Sequence, residues 1–230
     1  MKRSIEDLYF YVLIFIVGIL CMSGVARNSI EYTMPAVSCH VMPGLRVIDD
    51  EVSTLGSIYY YEMMKFETGF PVSYVDEAVK VYKALPQDFK SYLKDEDWNI
   101  MLMTDSSYEQ LTSSNFKTSK EYIGLTSETD KVICIKLDDS HKTAYDFAQT
   151  FAHELGHAFD IFRGSQSDAL NPIRANEIDT FTSNFDASEH NTEAGKEYFA
   201  DAFSFYMLSG DLLEEMCPET YNFINELVRS

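Results

Sequence analysis

Positive charge is what this chain has least of. Only 18 lysines and arginines stand against 37 aspartates and glutamates, a formal net charge of −19 over 230 residues. Nucleic acid is thereby excluded as a partner, because phosphate binding needs clustered basic side chains. Cysteine is also sparse. Four are present, and Cys39, Cys134 and Cys217 are the three that remain if an N-terminal leader is removed. Three thiols so widely spaced make no disulfide framework, and none has zinc-site spacing. Cys134 lies in an apolar segment and reads as a buried hydrophobe. There is no internal repeat and no low-complexity tract. The apolar run at residues 8–22 has 15 residues, short of the roughly 20 that span a bilayer as a helix.

What the chain does have is core material. Hydrophobic residues make up 46% and charged residues 24%, which suits one globular domain and argues against wholesale disorder. The acidity has two readings: a soluble secreted surface, or a negative cleft that prefers basic peptides. Residues 1–26 resemble an address label. Lys2 and Arg3 precede the apolar run, and Gly24-Val25-Ala26 offers a cleavage point. Glu6 and Asp7 dilute the positive start, so an uncleaved anchor through residues 8–22 is the alternative to a signal peptide. The expectation is a secreted protein, or else one tethered at the cell surface. Residues 27–47, with Pro35, Pro43 and Gly44, read as a loose arm, and residues 48–230 as the globular domain.

Within that domain, helices are expected from about Asp50. The clearest begins near Ser73, with Ser73 and Asp76 suited to a capping box, and ends at Pro86. Trp98 to Met103 is an apolar strand. Tyr122 to Thr126 and Lys131 to Leu137 form a hairpin around the turn-like residues 127–130. Gly124 removes a side chain from the first arm, where backbone or ligand can approach closely. A helix follows from Thr143, with Thr143 and Asp146 as capping box and an apolar stripe of Phe147, Phe151, Leu155 and Ala158. A second long helix covers about Lys196 to Leu208, and the polar residues 163–195 between them read as an irregular loop over a cleft. Strands first and helices after give an α+β domain.

The most informative residues are His153-Glu154-Leu155-Gly156-His157. Two imidazoles four apart on a helix share a face and can bind one metal ion. Glu154 between them is placed to take a proton from a water on that metal. A catalytic zinc needs a third protein ligand and an open position. Glu197 is the best candidate, with Glu177, Glu189 and Glu193 as weaker rivals. Asp201, one helical turn beyond Glu197, can accept the second ring N–H of a ligand histidine and fix its tautomer. A structural zinc site would be closed by four ligands, often cysteines, and no cysteine lies near this motif.

The segments AHELGHAFD and EYFADAF, with the strand DWNIMLMTD and the preceding ALPQDF, resemble the anthrax lethal factor-like metallopeptidases, which include secreted proline–proline endopeptidases. The similarity covers residues 70–210 and implies a zincin-like fold. It also implies one zinc ion held by His153, His157 and Glu197, with Glu154 as general base. The edge strand at Tyr122 to Thr126 would hold an extended polypeptide substrate, proline-containing or basic, with Gly124 beside it. That family places an oxyanion-stabilising tyrosine seven residues before the third ligand, where this chain has His190. Either His190 donates a hydrogen bond to the oxyanion, or it is a surface residue of a degenerate site. The expected function is therefore a secreted zinc endopeptidase; the alternative is a catalytically impaired binding protein of the same fold.

Overall fold

The computed structural model describes residues 45–47, 59–67, 71–109, 122–185 and 194–230. The leader, most of the arm, Cys39, Glu189, His190 and Glu193 lie outside the described residues. Among the described residues, no helix is long and apolar enough to cross a membrane.

A six-stranded mixed sheet carries the fold, in the order β1-β2-β3-β4-β6-β5. β1 (Leu45–Val47), β2 (Tyr59–Tyr61) and β3 (Met64–Phe66) pair antiparallel in sequence. β3 then runs parallel to β4 (Asn99–Thr104), and β4 parallel to β6 (Val132–Leu137). β5 (Gly124–Ser127) closes the far edge antiparallel to β6, so the expected hairpin is present with its first arm at the margin. Two expectations fail at the other margin. The arm ends in a strand, β1, and residues 59–66 form a hairpin instead of a helix. Tyr59-Tyr60-Tyr61 favours strand, and Glu62 turns the chain with a positive φ of 51°.

Alternation along the central strands divides the interior. Ile100, Leu102, Ile133 and Ile135 face the helices and are fully buried. Met101, Met103, Leu125 and Cys134 turn to the opposite face, where Tyr108 packs on them. Cys134 is buried as expected, and burial together with the Glu154 charge pushes its thiol up to about 12.

Helix α1 (Val72–Ala84) starts without the expected side-chain cap. Pro71 holds the N-cap position, so Ser73 is already inside the first turn and cannot serve there. At the other end, Pro86 confines Leu85 to an extended conformation, and the helix stops as expected. α2 (Gln87–Asp95) follows at once. α3 (Ala144–Phe162) carries the histidine pair and buries Phe147, Phe151, Leu155 and Ala158.

Where an irregular loop was expected, residues 167–184 form a helix, α4 (Ser167–Asn184), and residues 186–193 lie outside the described residues. The hold on α4 is tertiary. Asp160 of α3 accepts the Ser167 amide at 2.9 Å, and Leu170 and Phe181 are buried. α5 (Ala194–Met216) breaks at Ser209 (φ −146°, ψ 42°), next to the expected end at Leu208. α6 (Pro218–Arg229) completes the chain. Buried Glu177 of α4 accepts the Glu219 and Thr220 amides, both at 2.9 Å, and so caps α6 across the fold.

A candidate metal centre between two helices

Thr143 begins the site. Its hydroxyl accepts the Asp146 amide while Asp146 accepts the Thr143 amide, which makes the expected capping box and sets the register of α3. With the apolar stripe turned inward, His153 and His157 emerge on the adjoining face. α5 crosses this face closely because Gly156 has no side chain: a Cβ there would lie 2.8 Å from Ala200 Cα. Phe159 and Phe203 stack alongside with centroids 4.7 Å apart. That approach brings Glu197 and Asp201, one turn apart on α5, against the histidines.

The Nε2 atoms of His153 and His157 stand 3.1 Å apart. Glu197 Oε2 lies 3.3 Å from His153 Nε2, and Oε1 lies 3.6 Å from His157 Nε2. Tetrahedral ligands about 2.0–2.1 Å from a zinc ion are themselves roughly 3.3 Å apart. Two imidazoles and a carboxylate at these separations therefore fit one ion of that kind. Among the described residues these three form the one such cluster of histidine, cysteine and acidic side chains. They are 15%, 20% and 22% exposed, so the cluster is reachable from outside.

Asp201 Oδ1 accepts from His153 Nδ1 at 2.7 Å, which leaves Nε2 to the cluster. Burial alone would push His153 down, but the Asp201 and Glu197 carboxylates outweigh it and raise the imidazole to about 10. Burial and the neighbouring His153 push His157 down to about 4. The Asp201 hydrogen bond, made to His153 Nδ1, thus sets the two rings apart in the absence of a metal.

Glu154 is buried under the edge strand, near enough to His153 for its charge to help raise that imidazole. Thr126 Oγ1 donates to its Oε2 at 2.6 Å, and the same hydroxyl lies 2.9 Å from its main-chain oxygen. A Cβ at Gly124 would overlap the Glu154 carboxylate, so the close approach expected at this glycine is made by Glu154 itself. Lys136 N donates to Ile123 O, so in the antiparallel pattern Gly124 and Thr126 turn their own amides and carbonyls away from β6, to the side where no described strand pairs. The Gly124 carbonyl accepts the Tyr108 hydroxyl at 3.2 Å.

His141 takes a structural place. Its Nε2 pairs with Thr150 Oγ1 at 3.0 Å, Tyr74 donates to its carbonyl, and burial pushes it down. Glu177 is spent on capping α6. Thr126 and Tyr108 are contacts the sequence reading missed. For Thr126 a signal existed, since it stands two residues from Gly124 and so on the same face of β5.

Residues 59–227 match the family model described as anthrax toxin lethal factor, N- and C-terminal domain. The chain belongs to that family. Among solved structures it is similar to the Pro-Pro endopeptidase PPEP-2 from Paenibacillus alvei, with a TM-score of 0.56 and 18% identity. The similarity covers 72% of this chain and 97% of that one. The fold is accordingly zincin-like, as the lethal factor-like resemblance implied. No curated protein sequence matches the chain.

Proposed function

We propose that this chain is a zinc-dependent endopeptidase acting on extended polypeptides. The observation that carries the reading is the meeting of His153, His157 and Glu197 at 3.1–3.6 Å, within reach of the charge of Glu154. His153, His157 and Glu197 would hold the ion, with Asp201 fixing the His153 tautomer. When bound, zinc supplies a Lewis acid that polarises the scissile carbonyl and lowers the pKa of a coordinated water toward about 7.

Glu154 takes the proton of the attacking water and later delivers it to the leaving amine. His190, outside the described residues, is assigned as a hydrogen-bond donor to the oxyanion. Substrate adds as a strand to β5, where Gly124 and Thr126 offer outward backbone groups. The Gly124 carbonyl already accepts from Tyr108, so a substrate proline opposite it forfeits little. Basic substrate residues suit a chain of net charge −19. Residues 1–26 are assigned to export or to a surface tether.

The test is metal analysis of the purified chain, followed by incubation with a peptide library read by mass spectrometry. One zinc per chain and discrete cleavage products are expected. Zinc without products from any peptide would instead favour a binding protein of this fold, the reading that His190 at the family's tyrosine position motivates. Absence of zinc binding would overturn the peptidase reading.

A further inference from the structure

Glu154 is held from the edge strand by one side chain and given room by the lack of another. Thr126 and Gly124 occupy alternate positions on β5, opposite Ile133 and Ile135, and so share the face turned toward α3. A threonine hydroxyl has one hydrogen to give. Here two acceptors of the same residue lie within reach, Oε2 at 2.6 Å and the main-chain oxygen at 2.9 Å. The charged oxygen takes it more strongly. Oε2 is therefore the oxygen bound to Thr126, while Oε1 rests where the side chain of residue 124 would be.

We propose that Thr126 is a positioning residue for Glu154, acting with Gly124 to fix the rotation of its carboxylate. The inference rests on the peptidase reading, because it supplies the orientation a general base needs. A base misplaced by an ångström loses much of its effect. The edge strand and the helix that carries the base are thus joined through the Thr126 hydroxyl, so seating a peptide on β5 bears directly on the group that takes the proton of the attacking water.

The experiment compares Thr126→Val, Thr126→Ser and Gly124→Ala with the wild type, using steady-state cleavage of one library-derived peptide and crystal structures of the zinc-loaded proteins. Thr126→Val is expected to lower kcat about 10- to 100-fold, with KM and zinc content near wild type, and to let the Glu154 carboxylate rotate away. Thr126→Ser restores the hydroxyl and should recover most of the rate and the original carboxylate position. Gly124→Ala meets the Glu154 side chain from Cγ to Oε1 rather than backbone, so it should displace the carboxylate and depress kcat without unfolding the chain. An unmoved Glu154 in Thr126→Val, or equal kcat in all four proteins, overturns the inference. If the wild type cleaves nothing, the peptidase reading fails on its own, and the crystal structures still decide whether Thr126 holds the carboxylate.

Discussion

His153 Nδ1 and Asp201 Oδ1 are 2.7 Å apart, and this contact joins the helix bearing the histidine pair to the helix bearing Glu197. It fixes which ring nitrogen of His153 carries the proton. Asp201→Ala should therefore weaken zinc binding about 10- to 100-fold, the usual cost of losing such a partner. Competition against a chelator of known affinity measures it. Unchanged affinity would mean that His153 is oriented by something else.

Zinc uptake should release close to one proton per chain at neutral pH. The metal-free His153 is raised to about 10 and so is protonated at pH 7, whereas His157, lowered to about 4, is already neutral. A ligating nitrogen must give up its proton. Apparent zinc affinity should then rise with pH through neutrality and level off near the raised value of His153. Calorimetry in buffers of different ionisation enthalpy counts the proton. No release at pH 7 would contradict the charge assignment.

Gly156→Ala should destabilise the protein even though alanine is the better helix former, by about 0.5–1 kcal/mol. The added Cβ meets Ala200 Cα at 2.8 Å and Ala200 O at 3.0 Å, backbone atoms that move only with α5 itself. Overpacking of this kind costs about 1–3 kcal/mol. Because Glu197 rides on the same helix, zinc affinity should fall together with the melting temperature. A more stable variant with intact zinc binding would refute the close-approach argument.

Much of the site is legible in the sequence because its geometry is local. The Thr143–Asp146 box, the His153–His157 spacing and the Glu197–Asp201 spacing each lie within a single helical turn or two. What the sequence hides is held by distant partners. α4 has a proline at position 172 and little apolar periodicity, and it is tied down by Asp160 and by packing of Leu170 and Phe181. The three-residue strands β2 and β3 are too short for a periodic signal. Ser73 and Asp76 matched a capping pattern, but Pro71 had already set the helix start. The Thr126–Glu154 bond crosses 28 residues, so the alternation from Gly124 hints at the face but not at what docks there.

Glu154, as proposed, is the base beside a zinc held by other residues. The most direct measurement is the cleavage rate of Glu154→Gln against the wild type, each brought to one zinc per chain. Unchanged zinc content and a loss of about 100- to 10,000-fold in kcat, the range general-base catalysis supplies, are expected. A zinc-loaded Glu154→Gln protein that cleaves at the wild-type rate would contradict that role.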